Sequence, residues 1–341
     1  MNIFIVFIIS LILSLLISIL LHELGHLICG RLSGYKFVSF RLMKWLWTKN
    51  EFGKLKLTKN AGISGISGQC LMEPPANEKD FRFVLYSLGG GLFNIMTGLP
   101  LVILYFFVDN ELIQIGLLTA GLAALYLGIV NIIPMTAGAI PNDGKNIIEA
   151  LKSADARLGL YIMLKVNAEM SKGKRLQDYD QDAFTINENT DVDNYFVANM
   201  ILLRSSQLEE LGAYEESYNE LLRLVPAKLP PFYSSQLILS MMFKELVVFG
   251  DEESVQRARE RIQAKAKDKL FQQILQMKHP TFLASYATKK AFLDNDTEKA
   301  RELIAEARKL NSSIQNPGEE YSVSLMLDRL EAKLKGSNFY E

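Results

Sequence analysis

Residues 3–21, IFIVFIISLILSLLISILL, carry no charge, and the apolar character runs on through Leu24, Leu27 and Ile28. A helix that crosses the hydrocarbon core of a bilayer needs about 20 such residues. Near the end of this run stands His22-Glu23-Leu24-Gly25-His26. Ionisable groups inside a span cost at least ~2.5 kcal/mol each on insertion scales, so three together point to a function. Glu23 is the first charged residue of the chain. The positive start of a signal peptide is missing and no small-residue cleavage site follows, so the run is expected to be a span of about 3–28.

Two further apolar stretches, about 83–108 and 112–134, read as spans two and three. Their short connector carries Asp109 and Glu111 and no Lys or Arg, whereas lysines and arginines recur from Arg31 to Arg82. The positive-inside rule then places 30–82 in the cytoplasm, the N-terminus outside, and the C-terminal half in the cytoplasm of a multi-pass cell-membrane protein. Residues 53–71, GKLKLTKNAGISGISGQCL, alternate and carry glycines, which suggests short strands or a hairpin. Residues 145–172 read as an exit helix and 173–193 as a polar linker.

Beyond the linker the pattern is one of paired amphipathic helices. In LEELGAYEESYNELLRLVP, 208–226, Leu211, Gly212, Tyr214, Tyr218 and Pro226 sit where a tetratricopeptide unit favours them. A weaker echo covers 285–311. The expected architecture is therefore an all-α membrane protein in three parts. Residues 1–150 form a three-span core with a small β element after span one, 151–193 the exit helix and linker, and 194–341 a cytoplasmic, tetratricopeptide-like helical domain.

His22 and His26 are four residues apart and share a helix face. His-Glu-x-x-His is the pattern in which two histidines hold zinc and the glutamate serves as general base. Zinc lowers the pKa of a bound water toward ~7. Glu23 would take the water's proton and later hand one to the leaving amine. A catalytic zinc usually has three protein ligands, so one is missing. Asp143, in the turn Pro141-Asn142-Asp143-Gly144 after span three, is a candidate at the matching end of the spans. From spacing alone it is equally a helix cap.

The chain resembles the site-2 protease family of intramembrane zinc metalloproteases. The likeness rests on His22-Glu23-Leu24-Gly25-His26, on the glycine-rich GGGLFN from Gly89 to Asn94, and on NIIP…NDG from Asn131 to Gly144. It covers about the first 150 residues. The loop before Pro141, with its MTAGAI, is longer than the family's usual spacing. The resemblance implies one zinc per chain held by His22, His26 and Asp143, with Glu23 as general base. It also implies that Asn94 and Asn131 lie near the substrate or the site, where packing and hydrogen bonding between the spans is the competing role. Residues 53–72 occupy the place of a membrane-associated β element that would align an extended substrate by strand addition. The implied partners are a transmembrane or signal-peptide-like polypeptide, the lipid bilayer and a regulator docking on the cytoplasmic helices. No PDZ-like insertion and no CBS-like pattern is evident.

Other function classes fare less well. The net charge of −1 gives no argument for nucleic acid. A metal transporter would need a trail of further polar ligands along the spans. An inactive membrane scaffold with a structural zinc would have no use for Glu23 beside the histidines. Cys29 and Cys70 are too few for a disulfide framework. His279 has no histidine or cysteine nearby and reads as an ordinary surface or packing residue.

Overall fold

The computed structural model describes residues 3–49, 54–59, 68–137, 139–187, 189–314 and 316–336. It is mostly helical with a small sheet, and the chain divides into two compact units. The first contains α1 (Ile3–Leu32), the sheet, α2 (Phe83–Tyr105), α3 (Glu111–Ile132) and α4 (Asp143–Ala150). The second runs from α5 (Ala154–Met170) to the end of the chain.

Along α1 the usual burial rule is reversed. The residues α1 buries are Ser14, Ser18, Glu23, Gly25, His26 and Gly30, while Phe4, Ile9, Ile12 and Ile17 face outward. Small residues let helix backbones approach closely, which is how helices associate where the surroundings are as apolar as their side chains. A Cβ on Gly89 of α2 would lie 2.6 Å from the Gly25 carbonyl oxygen of α1. A Cβ on Gly98 would lie 2.8 Å from the Gly121 carbonyl oxygen of α3. The three helices are therefore in backbone contact along their small-residue faces. Asn110 starts α3 by accepting from the backbone N–H groups of Leu112 (3.1 Å) and Ile113 (3.2 Å).

Four antiparallel strands follow α1: β1 (Lys36–Leu42), β2 (Trp45–Lys49), β3 (Leu55–Lys59) and β4 (Gly68–Glu73), in the order β3-β2-β1-β4. Strands occur where alternation suggested them, but β3 and β4 do not pair as a hairpin. β3 pairs with β2, Leu57 opposite Trp47, and β4 pairs with β1, Cys70 opposite Phe40. Gly53 and residues 60–67 of the expected hairpin lie outside the described residues. The expected exit helix over 145–172 is two helices, α4 and α5. Ser153 breaks it, its hydroxyl accepting from the Ala156 N–H at 3.0 Å to start α5.

The second unit obeys the ordinary rule, apolar in and polar out. Its helices are α5, α6 (Tyr195–Glu210), α7 (Tyr214–Leu222), α8 (Pro231–Phe243), α9 (Glu252–Ala264), α10 (Lys269–Leu275), α11 (Pro280–Phe292), α12 (Thr297–Asn311) and α13 (Pro317–Leu334). The segment read as a linker is packed: Leu176 and Phe184 are buried with Val166 and Met170. Gly212, at φ +81°, makes the tight turn between α6 and α7, a conformation that L side chains disfavour. α8 continues as a π-helical turn, Lys244–Phe249. The stretch 231–249 is a fourth helix long and apolar enough to cross a membrane. It differs from the other three in setting: 56% of its apolar window is buried, against 11%, 33% and 28%.

A buried ion cluster ties α6, α8 and α13 together. Lys244, 2% exposed, reaches the Glu209 carboxylate at 2.6 Å, and Arg329 reaches it at 3.0 Å. Burial pushes the Glu209 carboxyl up, but Lys244 and Arg329 more than reverse this and hold it below its ordinary value of 4.5. A carboxyl lowered on folding contributes stability that is present above pH 4.5 and lost as pH falls below it. Glu209→Leu strands the Lys244 ammonium, and losing one partner of a buried pair costs about 3 kcal/mol or more. A drop of ~10 °C in melting midpoint is expected on calorimetry of the full chain in detergent.

Candidate metal centre

His22 and His26 lie two thirds of the way along α1, one turn apart, and Asp143 is the first residue of α4. The His22 and His26 Nε2 atoms are 3.1 Å apart. Asp143 Oδ2 lies 3.2 Å from His22 Nε2 and 3.4 Å from His26 Nε2. Zinc–nitrogen and zinc–oxygen bonds near 2.0–2.1 Å in a tetrahedron imply ligand separations of about 3.3 Å. The three observed edges match one face of such a tetrahedron. Among the described residues this is the one group of three His, Cys, Asp or Glu side chains whose ligand atoms converge to within 4.8 Å.

Two features bear on whether a metal fits. His26 Nδ1 is 2.8 Å from the Tyr86 carbonyl oxygen. A carbonyl can only accept, so Nδ1 carries the proton and Nε2 presents its lone pair to the group. The second feature is Gly90 on α2. A Cβ there would lie 2.6 Å from the Nε2 atoms of both His22 and His26. The missing side chain leaves open the space in front of two ligand atoms. The donor set of two imidazoles and a carboxylate suits zinc.

Glu23 is buried, 8% exposed. It faces the sheet: a Cβ on Gly68, the first residue of β4, would lie 2.7 Å from Glu23 Oε1. Tyr86 links the same strand to the histidines, since its hydroxyl donates to the Cys70 carbonyl at 3.0 Å while its own carbonyl accepts from His26.

The two asparagines named from the sequence make different contacts. Asn94 is fully buried, and its amide nitrogen lies 3.5 Å from His22 Nδ1. Its Oδ1 is buried without a hydrogen-bond partner. Asn131 donates from its amide to the Leu127 carbonyl of its own helix at 2.9 Å, and its own carbonyl oxygen would lie 3.2 Å from a Cβ on Gly144, the residue after Asp143. Cys29 and Cys70 are free thiols. His279 is buried, its Nε2 3.1 Å from a Glu319 carboxylate oxygen.

Sequence reasoning did not single out Gly90 within GGGLFN, nor Tyr86, Gly68 and Asn142. Tyr86 meets His26 through its carbonyl, which any residue has, so no side-chain signal could mark that contact. Gly68 and Gly90 matter for what they lack, and only their neighbours reveal that.

The family model described as Peptidase family M50 matches residues 10–277, more than half of the chain. No curated protein matches, and no solved structure matches.

Proposed function

The chain belongs to peptidase family M50, the site-2 protease family, and from that premise we propose a zinc-dependent intramembrane endopeptidase. Family membership implies an intramembrane metalloprotease. The proposal adds the metal, the residues and the substrate class: peptide bonds within or near transmembrane segments of membrane proteins or precursor peptides. The observation that carries it is the triangle of His22, His26 and Asp143 with edges of 3.1–3.4 Å and Glu23 in the same helical turn.

His22, His26 and Asp143 would hold the zinc. Bound there, it would supply Lewis acidity that eases proton loss from the attacking water at neutral pH. Glu23 takes a proton at its carboxylate oxygen from the attacking water and delivers one to the leaving nitrogen. Its burial keeps bulk water from competing for that proton. The Tyr86 carbonyl fixes the His26 tautomer.

Asn94 acts on His22. The oxygen and nitrogen of an amide exchange places by a simple turn. Turned over, Asn94 would set its partnerless Oδ1 to accept from His22 Nδ1–H, freeing Nε2 for the metal. Asn94→Ala is then expected to weaken zinc affinity 10–100-fold, read by chelator competition. A pure substrate-binding role would raise KM and leave zinc affinity alone, which is the pattern expected of Asn131→Ala.

The substrate would be presented by the sheet. β4 is an outer strand among the described residues and starts beside Glu23. An extended segment added to its edge would run past the site through backbone hydrogen bonds. α1, α2 and α3 form the three spans, with the N-terminus outside. The apolar stretch 231–249 is a core helix of a cytoplasmic domain, a reading its greater burial favours. The paired helices of that domain, α6 with α7 and α11 with α12, form a tetratricopeptide-like surface for a regulator.

The test is reconstitution of the full chain in vesicles with a transmembrane peptide. One zinc per chain and chelator-sensitive cleavage restored by zinc are expected. Cleavage by protein stripped of zinc would sink the proposal.

A further inference from the structure

The residue just before Asp143 is engaged on every side. Asn142 is buried, 9% exposed. Its amide nitrogen donates to the Val130 carbonyl at 2.6 Å and to the Ile133 carbonyl at 2.7 Å. Its Oδ1 accepts from the backbone N–H of Met135 at 3.1 Å and of Lys145 at 2.9 Å. Both amide protons and both oxygen lone pairs are thus used. The orientation of the amide is unambiguous, because a turned amide would set oxygen against two carbonyls.

Three of these partners lie in the last turn of α3 or just after it. In a helix, the Val130 carbonyl would accept from the N–H of residue 134. Residue 134 is proline and has no N–H. The Asn142 amide supplies the donor that Pro134 lacks, and it also pairs the Ile133 carbonyl and the Met135 N–H that the broken helix leaves over. The fourth partner, Lys145 N–H, lies in the first turn of α4, which Asn142 caps. The Asn142 backbone N–H donates to the Met135 carbonyl at 3.0 Å as well. On the other side of Asp143 stands Gly144, where a Cβ would run into the Ile132 carbonyl. Asp143 is therefore held between two residues that are each fastened against the last turn of α3.

We propose that Asn142 is a positioning residue for the metal centre: its side chain clamps the start of α4 to the proline-broken end of α3 and thereby sets Asp143 Oδ2 at ligand distance from His22 and His26. This rests on the reading of that trio as a zinc site. If Asn142 served only to cap α4, its oxygen alone would suffice, and serine or aspartate would serve as well. The clamp needs the amide nitrogen too, which neither residue has.

The experiment measures Zn2+ affinity of the purified full chain by competition with a fluorescent chelator, together with kcat and KM on a transmembrane peptide. Asn142→Ser and Asn142→Asp both keep a good helix cap, and the second keeps the shape of asparagine. Each is expected to bind Zn2+ at least ten-fold more weakly than wild type, with kcat reduced and KM near wild type. Whichever variant folds gives the answer, and the zinc-free forms are compared by circular dichroism to establish that it does. Zn2+ affinity within two-fold of wild type in either folded variant overturns the clamp. Wild-type protein that holds no Zn2+ overturns the zinc reading itself, an outcome separate from a clamp that fails in zinc-binding protein.

Discussion

Glu23→Gln is expected to lower peptide hydrolysis by about 10³-fold or more while one zinc stays bound per chain. General acid–base catalysis by a placed carboxylate contributes typically 10²–10⁴-fold. In the proposed mechanism one group serves twice, at the attacking water and at the leaving nitrogen, which puts the expected loss in the upper part of that range. Glutamine keeps the shape of the side chain, so the packing beside Gly68 is preserved. It cannot accept the proton. The three groups that converge on the metal position are His22, His26 and Asp143, and Glu23 is not among them. Zinc content by mass spectrometry and cleavage of a transmembrane peptide are measured on the same preparation. Zinc lost together with activity would make Glu23 a ligand and end its assignment as the base.

The second large effect belongs to a residue with no side chain. Gly90→Ala would set a methyl group 2.6 Å from both histidine Nε2 atoms, well inside van der Waals contact and in the space a metal needs. The neighbours cannot move aside cheaply. His26 is tied to the Tyr86 carbonyl, and α1 and α2 are already in backbone contact at Gly25 and Gly89. Loss of stoichiometric zinc and of all measurable hydrolysis is expected, with the helical content of the protein kept. Gly116→Ala is the matched control, because nothing lies within 4 Å of a Cβ there. A Gly90→Ala protein that binds zinc like wild type would show that the metal does not sit where these three ligands converge.

Much of this protein was legible in the chain because membrane solvation leaves a coarse signature. Uncharged runs of span length mark α1, α2 and α3, and the structure moves their ends by only a few residues. His22 and His26 could be paired from their spacing, since four residues make one helical turn. Asp143 was harder. A turn aspartate before a helix looks the same whether it caps or ligates, and the family resemblance rather than spacing favoured the ligand. The sheet was half legible: alternation located β3 and β4 but not their partners, because each pairs with a different strand. The break at Ser153 was missed because the amphipathic pattern continues across it. The packing of Leu176 and Phe184 was missed because these two buried apolar side chains stand in an otherwise polar segment.

The sequence by itself determined which segments are apolar enough to cross a membrane, that two imidazoles and a carboxylate lie on one turn of a helix, and which family the chain resembles. These are local properties, set by composition and by the 3.6-residue period. Only the tertiary structure decided that Asp143 closes the triangle, that Asn94 lies against His22, that Gly90 faces both imidazoles and that Asn142 is bonded to the end of α3. Each of those depends on a distance between elements far apart in the chain. Such distances are set by how closely glycine faces let the helices pack and by which backbone groups a proline leaves without a partner.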